Sequence, residues 1–228
     1  MTPKPGDKIL DMGCGEGRHT AKASEFPGTL CVGSDMCHDD LITASKKLTF
    51  HHQLIPGPGG NWALAQSDIG RLPFKHSCFD LVICSEVMEH IKKEKIALQE
   101  LIRVLKPGGT LAITVPRYWP EKLCWALSRE YANSPGGHIR IYRRTQLLEQ
   151  VRHQGMISMD GHHAHALHAI YWWLKCLVGI HRTDSKLVNA YHGLLVWDLM
   201  EKPAFIQLVE RLLNPIIGKS MVLYFKKP

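Results

Sequence analysis

Short apolar runs recur near residues 7–12, 29–34, 62–66, 79–84, 110–115, 156–160 and 220–226, each bounded by Gly, Pro, Asp or Ser. Between the first five, apolar residues return at helical spacing instead. Strands that alternate with amphipathic helices predict an α/β fold, a seven-stranded mostly parallel sheet with right-handed crossovers and helices on both faces. The run His51 to Asn61, with Pro56-Gly57-Pro58-Gly59-Gly60 inside it, reads as a breaker between a helix and the third strand. Residues 161–219 separate the last two strands where a tight hairpin would suffice. They carry three helical patterns, His165 to Gly179, Ser185 to Met200 and Ala204 to Leu213, the last stopped by Asn214-Pro215. The expected organisation is therefore one domain from residues 1–160 and 220–228, with 161–219 inserted as a helical cap.

The first strand runs into Asp11-Met12-Gly13-Cys14-Gly15-Glu16-Gly17. Glycine at every second position lets the backbone take positive φ and approach a ligand, as at a nucleotide-type cofactor site. A dinucleotide fingerprint needs G-x-G-x-x-G, and here Arg18 stands where its third glycine would fall, which disfavours an NAD-type oxidoreductase. The second strand ends in Asp35, 18 residues after Gly17, where an acid can accept both hydroxyls of a ribose.

On these residues the chain resembles the class I S-adenosylmethionine-dependent methyltransferases, whose fold is Rossmann-like. Three further segments extend the resemblance: Ser67-Asp68-Ile69 with Leu72-Pro73-Phe74, Phe79 to Ser85 as strand four, and Leu105-Lys106-Pro107-Gly108-Gly109 as the turn into strand five. The resemblance implies S-adenosylmethionine as cofactor. It would be held by Asp11, Gly13, Cys14, Gly15 and Gly17, by Asp35 and Met36 at the ribose, by Asp68 and Ile69 at the adenine, and by Ser85. The first strand starts about seven residues into the chain, which leaves no room for the helices that often cover the cofactor in this superfamily, so residues 161–219 are the expected lid.

Strand four ends in Ser85-Glu86-Val87-Met88-Glu89-His90. A helical turn there would put Glu86, Glu89 and His90 on one face at i, i+3 and i+4. This E-x-x-E-H pattern resembles that of ubiquinone-pathway O-methyltransferases and of small-RNA 2′-O-methyltransferases, where it binds a divalent ion. In the RNA enzymes a downstream histidine completes the site, and His138, just ahead of a helix start, has that setting. Two carboxylates with two imidazoles suit Mg, Mn or Zn without selecting among them. The other reading is metal-free: His90 acts as base or pocket wall, as in many class I members. Glu86, Glu89, His90 and His138 are the catalytic candidates under either reading, and a hydroxyl acceptor would need such help because an alcohol is a weak nucleophile. Two other groups stand out. His162, His163, His165 and His168 could supply ligands or a base, and Arg117, Arg140, Arg143 and Arg144 could clamp an anion.

Charge sharpens the division of labour. Residues 1–110 hold thirteen Lys/Arg and thirteen Asp/Glu, whereas residues 111–228 hold fifteen and eight, which is the whole formal excess of +7. A basic C-terminal half suits an anionic substrate or surface, or is a solvated face. Tyr171, Trp172, Trp173, Tyr191 and Trp197 in the insertion read as core packing, and also as a surface for a lipid tail or a bilayer interface rimmed by Lys175 and Arg182. The seven cysteines contain no C-x-x-C pair and no apolar leader opens the chain, so a disulfide framework and a structural zinc site are not expected and a reducing cytoplasm fits best. The expected activity is methylation of oxygen on a small-molecule, lipid-linked or glycan hydroxyl. Nucleic acid ranks last because no RNA-binding module is recognisable. A cofactor-binding partner without turnover is the alternative from another class, and the intact Asp11, glycines, Asp35 and Glu89-His90 argue against it.

Overall fold

A computed structural model of the protein describes residues 2–54 and 59–228. Pro56, Gly57 and Pro58 of the expected breaker lie outside the described residues. The first five strands are β1 (Lys8–Met12), β2 (Leu30–Asp35), β3 (Asn61–Gln66), β4 (Phe79–Ser85) and β5 (Leu105–Pro116). With β6 (Ile157–Ala164) and β7 (Ser220–Lys226) they form a seven-stranded sheet in the order β3-β2-β1-β4-β5-β7-β6. β1 lies parallel between β2 and β4, with Leu10 opposite Val32 on one side and Val82 on the other. All three side chains sit in an unbroken apolar run, as strands covered on both faces require.

β7 runs against its neighbour. Gly108 donates its N–H to the Lys227 carbonyl and Lys227 to that of Gly109, while at the far end Arg117 donates to the carbonyl of Lys219. β5 begins earlier than the apolar run at 110–115 implies. Phe79 pairs with Leu105 and Leu81 with Thr110, so Lys106-Pro107-Gly108-Gly109 bulges out opposite Asp80. Lys106 Nζ holds the bulge down by donating to both Asp80 oxygens at 2.8 Å.

The helices are α1 (Arg18–Ala23), α2 (His38–Leu54), α3 (Glu94–Val104), α4 (Tyr118–Leu127), α5 (Arg129–Ala132), α6 (Arg144–Arg152), α7 (Ala166–Val178), α8 (Lys186–Glu201) and α9 (Ala204–Ile217). α2 continues to Leu54, past the His51 at which the breaker run was expected to begin. α3 shows why such segments are helical: Ala97, Leu98, Leu101 and Val104 fall on one face, and all four are buried.

Two compact units emerge. The first comprises Met1–Thr114, Leu148–Asp160 and Leu223–Pro228; the second comprises Val115–Leu147 and Gly161–Val222. In the second, Leu167, Leu195 and Ile206 from α7, α8 and α9 make a small core against Tyr171 and Tyr191. The Tyr191 hydroxyl donates to the Leu167 carbonyl at 3.1 Å, and the Trp173 indole N–H to that of Pro120 at 3.1 Å. These rings are half-buried packing, with polar tips satisfied by backbone.

α9 does not stop at Asn214-Pro215 as expected, and Pro215 lies inside it. A proline so near a helix end removes only one intrahelical bond, and the loose carbonyls find other donors. Arg117 donates to the carbonyls of Pro215 at 3.0 Å and Ile216 at 3.1 Å. Asn214 has a second task, since its Oδ1 accepts the Ala166 N–H at the start of α7 at 3.0 Å. Among the described residues no helix is long and apolar enough to cross a membrane, and all seven cysteines are free thiols.

Candidate active site

The carboxyl ends of β1, β2 and β4 meet where the strand order reverses, the position at which open α/β sheets bind ligands. Gly13 and Cys14 both donate their N–H to the Ser34 carbonyl, at 2.7 and 3.0 Å, which pins the glycine loop to the end of β2. Gly13 has φ +74°, and a Cβ there would come within 2.2 Å of a Val87 methyl, so the loop packs directly on Val87, two residues beyond β4. Gly15, with φ +49°, differs: a Cβ would meet nothing within 4 Å. The crest of the loop thus faces open space beside Asp35, whose carboxylate accepts from Gly15 N at 2.8 Å and Cys37 N at 2.9 Å. Gly17, also left-handed, starts α1.

Asp11 lies buried beneath this loop and accepts from the Thr20 hydroxyl at 2.7 Å, which ties α1 to β1. Burial pushes its carboxyl above the ordinary range, and the Thr20 bond opposes that. Cys14 is a buried thiol, raised to about 12 by burial and by the nearby acids Asp11 and Asp35. Beside the loop, Ser67 N donates to the Asp35 carbonyl at 2.9 Å. Asp68 is exposed and its Oδ1 accepts the Gly70 N–H at 2.8 Å, Ile69 is buried, and Met36 is exposed. The loop and Asp35 fit a nucleoside with a free diol: an open glycine crest lies next to a carboxylate at a strand end.

After Ser85 the chain departs from the expected helix. Glu86 takes φ +53° and donates its N–H to the Thr114 carbonyl, and only Met88–His90 coil, as one 3₁₀ turn. The i, i+3, i+4 face of Glu86, Glu89 and His90 therefore does not form. The left-handed residue ends the strand and lays Val87 against Gly13, a geometry a regular helix from Glu86 could not supply. Glu89 is fully buried, His90 is partly exposed, and the His90 Nε2 lies 3.9 Å from Glu89 Oε1.

His138 belongs to the second unit, where it meets a residue that the sequence did not single out. Its Nδ1 lies 2.6 Å from Oε1 of Glu121, a fully buried carboxylate on α4. Oε2 of Glu121 accepts from Lys219 Nζ at 3.3 Å and the Tyr131 hydroxyl at 3.4 Å. Burial would raise the Glu121 carboxyl, but the His138 hydrogen bond and the Lys219 charge outweigh it and hold the group below the usual glutamate range. Nδ1 thus faces a carboxylate, which fixes the orientation of the His138 ring. The signal available in the sequence was an acid inside the apolar stretch Tyr118 to Leu127, since a buried acid must find partners.

The family described as a methyltransferase domain matches residues 3–169. The chain belongs to the class I S-adenosylmethionine-dependent methyltransferase-domain family. Over 110 residues it is 30% identical to a ubiquinone/menaquinone biosynthesis C-methyltransferase of Ectopseudomonas mendocina, covering 48% of this chain and 42% of that protein. Over 141 residues it is 28% identical to a sterol 24-C-methyltransferase of Schizosaccharomyces pombe, covering 62% of this chain and 34% of that one. The chain thus spans less than half the length of these curated relatives. A Methanosarcina mazei SAM-dependent methyltransferase structure shares the fold at TM-score 0.62 and 15% identity, over 99% of this chain and 94% of that one.

The remaining clusters of the methyltransferase domain resolve differently from one another. His165, left-handed at φ +64°, and His168 come together, their rings 5.4 Å apart, and Glu210 of α9 joins them with one ligand atom from each within 4.8 Å of the others. Burial, with Arg117 and Arg144 near, lowers the His163 imidazole. Three of the four arginines, candidates for an anion clamp, have local partners. Arg117 caps α9, Arg143 lies over the Tyr118 ring at 4.1 Å, and Arg140 lies over Tyr142 at 6.0 Å.

Proposed function

We propose that this methyltransferase domain methylates a hydroxyl oxygen of an apolar small molecule, with His90 as the base. The observation that carries the reading is the Glu89-His90 pair in the 3₁₀ turn directly after Val87, the residue packed on Gly13 of the glycine loop. The donor supplies an activated methyl on a good leaving group, so alignment contributes much of the acceleration. An alcohol must also lose its proton. The His90 imidazole takes that proton as the oxygen–methyl bond forms and the sulfur–methyl bond breaks, and S-adenosylhomocysteine leaves. The buried Glu89 carboxylate, 3.9 Å away, stabilises the imidazolium that results. Glu86 adds negative charge at the same strand end. In the first unit Gly13 to Gly17, Asp35, Met36, Asp68, Ile69 and Ser85 hold the donor, while Asp11 and Cys14 support the loop from beneath.

The second unit selects the acceptor in this reading, with residues 161–219 as the cap, and within that unit Glu121 orients the His138 imidazole. Methylation of carbon is the second reading, favoured by the names of the quinone and sterol relatives. His90→Ala separates the two. Oxygen transfer predicts a kcat about 10²-fold lower, on the scale of a lost acid–base group, with donor affinity retained and chelators without effect on the wild type. Unchanged kcat in the variant would reject the base role and favour a carbon nucleophile that needs no deprotonation.

A further inference from the structure

Tyr171, Trp172, Trp173 and Tyr191 of the insertion are half-buried, and exposed apolar side chains of the second unit gather into a continuous stripe on α9 and the end of α8. Phe205, Leu208, Val209, Leu212 and Ile216 follow one another at i, i+3, i+4, i+7 and i+11, which makes a single stripe along α9, and all five are exposed. Phe205 is 60% exposed and Leu212 65%. The face of α9 that serves the core is a different one: Ile206 packs with Leu167 and Leu195. α8 continues the stripe through Trp197 and Met200, the latter 74% exposed, and the Trp197 and Phe205 rings lie 6.0 Å apart. Single exposed apolar residues need no explanation, but a continuous stripe over two helices marks a surface that something covers.

We propose that this face docks the protein on an anionic lipid bilayer, with α9 lying in the interface plane. Charge selects that occupant. The first unit holds sixteen Lys/Arg against fifteen Asp/Glu, whereas the second holds twelve against six. On α8, α9 and the two residues joining them, Lys186, Lys202 and Arg211 are exposed together with the acid Glu201, while Asp198 and Glu210 are only part-exposed. Two copies meeting through this face would bring like charge together, while an anionic surface is attracted to it. Lys and Arg beside an apolar stripe can lay their stems along it and keep their heads at the lipid phosphates, and a tryptophan at its edge suits the same boundary. Lys175 and Arg182, the rim expected from the sequence, are engaged otherwise: Lys175 donates to the Ile180 carbonyl at 3.0 Å, and Arg182 pairs with Asp184 at 2.8 Å. The inference stands whichever atom the enzyme methylates.

The test is co-sedimentation of the full chain with vesicles of phosphatidylcholine alone and of equimolar phosphatidylcholine and phosphatidylglycerol. Binding to the anionic vesicles at least about tenfold tighter than to the neutral ones, and weakened by salt, is expected. Leu208→Glu with Leu212→Glu should lower it by about tenfold or more, with circular dichroism and donor affinity unchanged. Phe205→Ser, a milder change on the same face, should move it in the same direction, and Lys202→Gln with Arg211→Gln should lower only the anionic component. Absence of binding to anionic vesicles would overturn the proposal, as would full binding by the Leu208/Leu212 variant. A concentration-dependent dimer in light scattering that the same pair abolishes would assign the face to a second copy instead.

Discussion

The candidate residues of the first unit fall in short motifs of fixed spacing, whereas the polar cluster of the second joins residues that no motif links. Gly13, Gly15 and Gly17 share one loop, and Glu86, Glu89 and His90 follow one strand. In the second unit Glu121, Tyr131, His138 and Lys219 converge from four separate stretches of chain. Their charge differs in the same way, near balance in the first and strongly basic in the second. A cofactor common to a family imposes a fixed local spacing, whereas an acceptor that varies between relatives imposes none. Local spacing is also what a single sequence can display.

The widest separation between the units should come from Gly13→Val. Its φ of +74° and the 2.2 Å approach to Val87 leave no place for a side chain, so a loss of roughly 3 kcal/mol or more is expected from strain and overpacking combined. Chemical denaturation checks it. A variant as stable as the wild type would mean that the loop does not cross over Val87.

Glu121→Gln makes the complementary cut in the second unit. Breaking the buried charge pair while keeping an amide acceptor should cost about 1–3 kcal/mol near neutral pH. The pH dependence carries the sign. Because the folded carboxyl is held below its unfolded value, its contribution is present above the ordinary glutamate range, about pH 4, and is lost as pH falls through the depressed value. Wild-type stability should therefore decline below about pH 4 more steeply than that of the variant. Denaturation curves at several acidic pH values measure this, and parallel slopes would show that Glu121 is not paired as described. Donor affinity should be the same in both proteins, since the substitution lies outside the first unit.

The difference between the units also explains what the sequence let one read. Apolar runs located all seven strands to within a few residues, with β5 reaching further back because Lys106 to Gly109 bulge opposite Asp80 instead of preceding the strand. The glycine spacing and Asp35 marked two segments that the structure brings together, with Gly15 donating to the Asp35 carboxylate. The turn after β4 was mistaken for a regular helix because the E-x-x-E-H spacing suits one. The left-handed Glu86 follows from how Val87 meets Gly13, a contact between residues far apart in the chain. His138 was singled out, but Glu121 beside it was not, because no motif links the two. α9 outran Pro215 for a similar reason: Arg117, distant in sequence, supplies the donors its last carbonyls need.

Calorimetric titration of S-adenosylmethionine into the wild type and into Asp35→Ala tests the central claim, that the glycine loop and Asp35 form the donor site. Wild-type protein should bind with one site per chain. The variant should bind at least about tenfold more weakly, a loss of roughly 1.4 kcal/mol, because a carboxylate that accepts two hydroxyls fixes the diol. No heat from the wild type, or equal affinity in the two proteins, would contradict the account.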